Sequence, residues 1–328
     1  MRAGITGLGT AVPSQRLTNA ELEARVETSD SWIVERTGIR ERRIARSDET
    51  TASLAVEAGT SAIKHAGIPP DAVDLLIVAT ATPEQPIPHT GAFVGDGLGL
   101  HCGSFDLQAG CAGFVYMLVV GSSLLTSAGL DHVLLIGSET LSRIVDPHDR
   151  GTCILFGDGA AAVVLSRAPD ERHGVLGWDL GCDGSATGLL GIPAGGSRLP
   201  ATPDTIAAGA QYLKMQGQEV FRRAVRAVVD SAFATLERAG VEPGEVDWFV
   251  PHQANLRIIE AAAKRLGFDA DRTITNIEHY GNTSSASIPL ALFEAVEDGR
   301  VTDGDLVLCS GVGAGLTWGS ALIRWGQA

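Results

Sequence analysis

The stretch AGIPPDAVDLLIVAT (residues 66–80) decides the fold, because a variant of it, AGVEPGEVDWFVPH, returns at residues 239–252. The offset is 239 − 66 = 173 residues, and the same offset separates HVLLIGSE (residues 132–139) from DLVLCSGV (residues 305–312). Each copy of the first motif follows an amphipathic helical stretch and runs through a turn into apolar residues. Motifs that recur in the same order predict two related halves.

Short apolar segments also correspond at the beginning and end of these halves. AGITGLG (residues 3–9) resembles GVLGWDLG (residues 174–181), while AAAVVLS (residues 160–166) and SALIRW (residues 320–325) are predicted to be final strands. Continuous apolar strands joined by helices are typical of a mainly parallel sheet that is covered on both faces. Two such halves packed together predict a layered α/β/α/β/α body.

We predict two domains, residues 1–170 and residues 171–328. A chain of 328 residues with 45% hydrophobic residues can bury a large core, and its net charge of −14 disfavours nucleic acid or an anionic membrane as a partner.

The uncharged stretch at residues 111–130 is long enough to span a bilayer. Its serines, and the strand predicted directly after it, favour a buried helix instead.

The five cysteines are odd in number and irregularly spaced, and they include no CxxC pair. This pattern disfavours a disulfide framework and a zinc site, so we expect no metal and a reducing environment. The start of the chain lacks the apolar core of a signal peptide, and we expect a cytoplasmic protein. Four cysteines are predicted to be ordinary buried residues: Cys102, Cys153, Cys182 and Cys309.

Three polar residues are candidates for catalysis. Cys111 follows Asp74 by 37 residues and Asn282 follows Asp247 by 35, and both lie in small-residue turns before a predicted helix. If the halves superpose, the two helix N-termini converge, and the partial positive charge there is expected to lower the pKa of the Cys111 thiol. His252 lies just past a strand end, where open α/β sheets place their ligand sites. Asn282 is also a good capping residue, and a turn can cap a helix and line a pocket at once.

Six segments together resemble the β-ketoacyl-acyl-carrier-protein synthase III family, from near residue 5 to near residue 325. The family's fold is a duplicated thiolase-like five-layer α-β-α-β-α fold, which agrees with the repeat. The resemblance also implies a homodimer and no cofactor beyond acyl-CoA as a substrate. The segments are DSWIVERTGIRERR, DLQAGCAGF, DRGTCILFGDGAAAVVL, VPHQAN, IEHYGNTSSASIPLA and GLTWGSAL.

The resemblance implies a reaction in two stages. Cys111 takes an acyl group from acyl-CoA, with the backbone N–H groups of Cys111 and Ala314 as the oxyanion hole. Malonyl carrier protein then loses CO₂, and His252 and Asn282 donate hydrogen bonds to the enolate oxygen while its carbon attacks the acyl group. The implied process is the initiation of fatty acid or polyketide chains.

Further residues match the family's substrate contacts. The implied CoA-binding residues are Thr28, Trp32, Arg36 and Arg150. The implied substrate channel is lined by Ile87, Phe156, Gly217, Phe221 and Val312, with Ile87 supplied across the dimer interface. The implied docking patch for the acidic carrier protein consists of Arg222, Arg257, Lys264 and Arg265.

Three departures from the family pattern concern the substrate. Ile87 stands where many bacterial members have a bulky aromatic, Gln218 replaces a frequent Asn, and Val312 begins a Val-Gly-Ala run in place of Phe-Gly-Gly. A smaller residue 87 favours branched, longer or otherwise unusual starter groups. The three catalytic candidates are intact.

Other functions compatible with the sequence remain open. The same three residues would serve an acyltransferase that moves the Cys-bound group to a hydroxyl, an amine or a carrier thiol, or a variant that forms acetoacetyl-CoA. An intact Asn282 favours condensation, because simple transfer needs no second enolate donor. A non-catalytic partner subunit is disfavoured by the retained cysteine, and the run Gly311–Gly315 does not open a nicotinamide-binding βαβ unit.

Overall fold

The computed structural model describes residues 2–168, 170 and 173–326. The predicted domain boundary after residue 170 adjoins residue 171, which is outside the described residues, so that boundary stays a prediction. The described chain contains thirteen β-strands: β1 (Ala3–Ala11), β2 (Arg16–Thr18), β3 (Glu41–Arg43), β4 (Leu75–Ala79), β5 (Gly103–Leu107), β6 (His132–Thr140), β7 (Asp158–Arg167), β8 (Gly174–Cys182), β9 (Leu190–Gly191), β10 (Lys214–Met215), β11 (Trp248–Pro251), β12 (Leu306–Gly313) and β13 (Thr317–Arg324).

Several α-helices of the described chain begin at a capping side chain or end at a glycine. Thr50, for example, caps the third helix, and Gly240 in the left-handed conformation ends the eighth. The helices are α1 (Asn19–Glu23), α2 (Asp30–Thr37), α3 (Thr51–His65), α4 (Thr90–Leu98), α5 (Gly113–Ala128), α6 (Arg150–Cys153), α7 (Pro203–Ala207), α8 (Gly217–Ala239), α9 (Leu256–Leu266), α10 (Ile277–Tyr280) and α11 (Ser287–Glu297).

Two main sheets repeat one strand order. The first sheet runs β1-β7-β6-β4-β5, and the second runs β8-β13-β12-β11. A parallel bridge between Phe249 and Thr273 occupies, beside β11, the place that β5 takes beside β4. The correspondence of strands confirms the duplication that the 173-residue repeat predicts.

The sheets and helices form five layers. Helices α3 and α4 cover the outer face of the first sheet, and α8 and α9 cover the outer face of the second. Helices α5 and α11 lie between the two sheets and contact both. The layered order predicted from the sequence is confirmed.

The expectation of mainly parallel sheets is confirmed, because all strands but one in each main sheet run in the same direction. In the first sheet β4 is parallel to β5 and β6, but β7 is antiparallel to both β1 and β6. In the second, β11 and β12 are parallel, and β13 is antiparallel to both β12 and β8. Strands β12 and β13 follow each other through a short hairpin, which reverses the chain direction, whereas a parallel neighbour needs a crossover connection.

The apolar stretch after Cys111 forms the central helix α5. The segment Gly110–Ala128 is long and apolar enough to cross a membrane by length and composition. Its apolar side chains pack between the two sheets, and Phe114, Val115, Met117 and Leu118 are fully buried there. A helix that is apolar on most sides therefore serves as the middle layer of the fold, as the sequence predicts.

Candidate active site

Three loops meet at one end of the two sheets and enclose a cavity of about 220 Å³. Cys111 lies in the 3₁₀ turn Gly110–Ala112 before α5, and His252 follows directly after β11. Asn282 lies in the turn that leads to α11. All three side chains line the cavity, so the structure brings together the residues that the sequence singles out as catalytic candidates.

The backbone around Cys111 requires glycine. Gly110 has a φ of 52°, in the left-handed region, and a Cβ there would lie 2.8 Å from the backbone nitrogen of Ala314. A Cβ on Gly313 would clash with the backbone nitrogen of Cys111. The glycines thus allow the loops that carry the backbone nitrogens of Cys111 and Ala314 to pack closely together. An oxyanion hole made of these two N–H groups requires such close packing.

The expected lowering of the Cys111 pKa is wrong for the protein without substrate. Burial raises the pKa of the Cys111 thiol to about 12, although hydrogen bonds with Ser284 and Asn282 oppose the rise. The nearby carboxylate of Glu139 raises this pKa further. The sulfur therefore carries its proton at rest, and a thiolate formed there is unsolvated and strongly nucleophilic.

Asn282 is held by hydrogen bonds on three sides. Its backbone N–H donates to the carbonyl of Leu155 at 2.8 Å, and its carbonyl accepts from the N–H of Gly157 at 3.0 Å. Its side-chain Oδ1 accepts from the N–H of Ser284 at 2.8 Å. With the oxygen so occupied, the Nδ2 amino group is the donor that remains for a ligand in the cavity.

His252 is neutral and anchored from behind. Burial lowers its pKa to about 3, so the ring carries one proton at neutral pH. Nδ1 lies 2.6 Å from Oγ of Ser287, the first residue of α11. The backbone N–H of His252 donates to the carbonyl of Ser310 at 2.8 Å. The sequence did not single out Ser287, although it closes the same GNTSSAS segment that contains Asn282.

Glu139 is a second residue that the sequence reasoning missed. It is fully buried at the end of β6, and its carboxylate accepts hydrogen bonds from the N–H of Ala81 at 3.0 Å, from Thr82 Oγ1 at 2.8 Å and from Ser285 Oγ at 2.9 Å. Burial raises its pKa. A glutamate at the end of the otherwise apolar run HVLLIGSE was the available signal.

The four predicted CoA contacts lie together near the surface. The guanidinium carbons of Arg150 and Arg36 lie 4.9 Å and 5.9 Å from the ring centre of Trp32. Arg150 also donates to the carbonyl of Glu27 at 2.8 Å, and the buried Oγ1 of Thr28 has no hydrogen-bond partner in the described chain. An aromatic ring with two cations and an unpaired hydroxyl fits a stacked, phosphate-bearing group.

The predicted channel residues divide into two groups. Phe156, Gly217, Phe221 and Val312 line the cavity with the catalytic candidates. Ile87 does not, and its side chain is 85% exposed on the surface of the single chain. The sequence analysis expects Ile87 to enter the pocket of a neighbouring subunit. The structure of one chain does not test this role, which stays a prediction.

The predicted docking residues also divide. Arg257, Lys264 and Arg265 are exposed on α9, beside the cavity, and form no ion pair within the described residues. Arg222 is exposed on α8 but lies 2.6 Å from Glu219, in a separate groove with Arg223 and Arg226. The patch on α9 is therefore the part with unpaired positive charge.

The described residues contain no group of three or more His, Cys, Asp or Glu side chains that could hold a metal ion. All five cysteines are free thiols. Cys309 and Cys153 are buried as predicted, Cys102 is partly buried, and Cys182 is exposed, so the prediction of a buried residue is wrong for Cys182. Its strand, β8, lies at the edge of the second sheet.

Comparisons with known proteins agree with the fold. Two family models match, 3-oxoacyl-[acyl-carrier-protein (ACP)] synthase III over residues 105–184 and its C-terminal counterpart over residues 236–325. A relative from Symbiobacterium thermophilum, a beta-ketoacyl-[acyl-carrier-protein] synthase III, is 50% identical over 99% of this chain and 98% of its own.

Solved structures match over the whole length. The synthase III from Thermus thermophilus superposes with a TM-score of 0.92 at 44% identity, covering 99% of this chain and 100% of that one. The priming β-ketosynthase from the R1128 polyketide pathway gives a TM-score of 0.91 at 36% identity, covering 99% and 96%.

Proposed function

The chain belongs to the 3-oxoacyl-[acyl-carrier-protein] synthase III family, and from that premise we infer how its residues carry out the family's reaction. The enzyme is an acyltransferase that condenses an acyl group from acyl-CoA with malonyl carrier protein, which initiates an acyl chain. The observation that carries the assignment of residues is the meeting of Cys111, His252 and Asn282 in one cavity.

In the first half-reaction Cys111 Sγ attacks the thioester carbonyl of acyl-CoA. The Sγ–carbon bond forms, the carbon–sulfur bond to CoA breaks, and the thiol proton leaves with the CoA thiolate. Because burial raises the pKa of Cys111, we infer that the thiol loses its proton as the attack proceeds. The backbone N–H groups of Cys111 and Ala314 stabilise the oxyanion.

In the second half-reaction malonyl carrier protein enters the same cavity. Its carboxylate leaves as CO₂, and the electron pair delocalises onto the thioester oxygen, where His252 and Asn282 each donate a hydrogen bond. The enolate carbon then attacks the acyl carbonyl, and Cys111 departs as a thiolate, which takes up one proton from solvent to restore the resting thiol. The buried and neutral state of His252 suits a donor of this kind, because a cation at this site would be costly to desolvate.

We also propose a homodimer in the cytoplasm. β5 is the edge strand of the first sheet, and the nearby side chains of Ile87 and Phe93 are 85% and 37% exposed. A free edge strand beside exposed apolar side chains favours pairing with a second copy, and Ile87 would then enter the partner's acyl pocket. Analytical ultracentrifugation tests the dimer, and a strictly monomeric active enzyme would contradict it.

The experiment that tests the reaction is intact-mass measurement after exposure to a panel of acyl-CoAs, repeated with malonyl carrier protein. We expect a mass gain of one acyl group that is absent in Cys111→Ala and that disappears, with formation of β-ketoacyl carrier protein, when the malonyl substrate is added. An adduct that persists until a hydroxyl or amine acceptor is supplied would instead establish an acyltransferase without condensation.

A further inference from the structure

The hydrogen bond between His252 and Ser287 joins two side chains that are both almost completely buried, with 4% and 1% of their surfaces exposed. It occupies Nδ1 and leaves Nε2 without a hydrogen-bond partner in the described part of the chain. His252 lines the cavity, so Nε2 is the nitrogen available to a substrate. Which nitrogen carries the proton therefore decides whether His252 donates or accepts there.

The position of the Ser287 proton follows from counting donors and acceptors. The hydroxyl already accepts a hydrogen bond from the backbone N–H of Gln253 at 3.3 Å. A serine hydroxyl has one proton to donate, and within the described residues no acceptor other than His252 Nδ1 lies within hydrogen-bond distance of it. The arrangement that satisfies every group has Ser287 donating to Nδ1.

The ring then has one possible tautomer. Burial lowers the pKa of His252 to about 3, so the imidazole carries a single proton at neutral pH. If Nδ1 accepts from Ser287, that proton resides on Nε2.

The first half of the chain lacks this pair. By the 173-residue offset His252 corresponds to Ala79 at the end of β4, and by position at the helix start Ser287, the first residue of α11, corresponds to Gly113, the first residue of α5. A Cβ on Gly113 would lie only 3.1 Å from the Cβ of Ala79. In the first half, the end of β4 and the start of α5 therefore pack together without polar side chains. The hydroxyl–imidazole pair at the corresponding place in the second half is not required by the fold.

We propose that Ser287 is a positioning residue that holds His252 in the Nε2–H tautomer, so that the ring donates to the enolate oxygen. The proposal rests on the proposed function, since it assigns Ser287 to the condensation half-reaction. Ser287 does not touch the reacting atoms, and its effect passes through His252.

The direct test is ¹⁵N NMR of the wild-type protein labelled at histidine, with the His252 signals assigned by their loss in His252→Asn. Protonated and unprotonated ring nitrogens have well-separated shifts. We expect an unprotonated Nδ1 and a protonated Nε2 near neutral pH. A protonated Nδ1 in the wild type would overturn the proposal, whatever the behaviour of any variant.

The kinetic test compares the two half-reactions in Ser287→Ala. We expect acylation of Cys111 to proceed as in the wild type, and condensation to slow about tenfold, the usual effect of losing one hydrogen bond. Ser287→Thr, which keeps the hydroxyl, should restore condensation. Equal loss in both half-reactions, or no loss in condensation, would overturn the proposal.

Ser166→Ala is the matched control. Ser166 Oγ lies 2.8 Å from Nδ1 of His132, so this variant removes the same kind of pair away from the cavity. We expect both half-reactions to be unchanged in it. If the wild type fails to acylate Cys111, the proposed function fails, whereas the tautomer measured by NMR still tests the role of Ser287.

Discussion

The 3₁₀ turn Gly110–Ala112 before α5 and the turn Ser284–Ala286 before α11 occupy the same place in the two halves. The residues directly before the helices have nearly the same backbone angles, with φ −83° and ψ −1° at Ala112 and φ −82° and ψ −16° at Ala286. The two halves thus contain the same structural motif, a tight turn that leads into a buried central helix.

The side chains on these turns differ in what they contact. Counted from the helix starts, Cys111 corresponds to Ser285 and not to Asn282, which lies three residues earlier. Ser285 Oγ lies 2.8 Å from the carbonyl oxygen of Ala79 and 2.9 Å from a carboxyl oxygen of Glu139, so it joins the two halves. Cys111 faces the cavity. The second turn stabilises the interface between the halves, and the first turn uses that rigid support to present a nucleophile.

The largest effect is expected at Cys111. Cys111→Ala should abolish the acyl adduct and lower turnover by at least about 10³-fold, because the substitution removes the thiol that carries the acyl group. Cys309→Ala is the matched control, since burial also raises the pKa of the Cys309 thiol to about 12. Intact mass and turnover of both variants test the prediction, and a persistent adduct in Cys111→Ala would place the nucleophile elsewhere.

The second prediction concerns the enolate donor of the second half. Asn282→Ala should slow condensation by about 10²–10³-fold and leave acylation of Cys111 much less affected, because the enolate forms only in the second stage. Gln108→Ala is a useful control, since Gln108 is exposed and holds the corresponding place five residues before α5. Single-turnover measurement of each half-reaction tests this prediction. Equal slowing of both stages would contradict it.

The sequence predicts the halves and the catalytic trio because each depends on local order and spacing. The repeat of 173 residues gives corresponding strands, and the strand ends and turns place Cys111, His252 and Asn282 at one edge of the fold. The sequence analysis did not identify β7 and β13 as the strands that run against the others in their sheets, because hairpin and crossover connections are difficult to distinguish between short apolar segments.

The rest of the site depends on contacts between distant residues. Burial is the largest cause of the raised pKa of Cys111, and a short motif does not show how deeply a side chain is buried. Ser287 acts on a residue 35 positions away, and Glu139 on one 146 positions away. Such contacts have no periodicity or motif spacing, so they become visible only in three dimensions.

The third prediction tests whether only one half carries the carrier-protein surface. Lys264→Glu on α9 should lower kcat/KM for malonyl carrier protein by about tenfold at low salt, because like charges repel the acidic partner. Acylation by acyl-CoA should be unaffected. Lys64→Glu is the control, since Lys64 is equally exposed on α3 in the first half. Equal losses in the two variants would mean that net charge, and not a defined patch, governs association.

The last prediction concerns the buried carboxyl that contacts Ser285. By the 173-residue offset Glu139 corresponds to Val312, so the second half has an apolar side chain where the first half has an ionisable one. Burial raises the pKa of Glu139 above its ordinary value of 4.5. A raised carboxyl pKa stabilises the fold below the unfolded pKa, and this stabilisation is lost as the pH rises from about 4.5 through the folded pKa.

Glu139→Gln, which cannot ionise, should therefore gain stability relative to the wild type as the pH rises. Each unit by which folding raises the pKa of Glu139 adds about 1.4 kcal/mol to that difference once the carboxyl is ionised. Denaturant unfolding of both proteins across a pH series measures it, and comparing the two removes the titration of all other groups. A difference that stays constant above pH 4.5 would mean that hydrogen bonds from Thr82, Ala81 and Ser285 offset the burial of the charge. If the difference in unfolding free energy between the two proteins widens as the pH rises, the first half retains an ionisable group at the expense of stability, and this group lies near the Cys111 thiol.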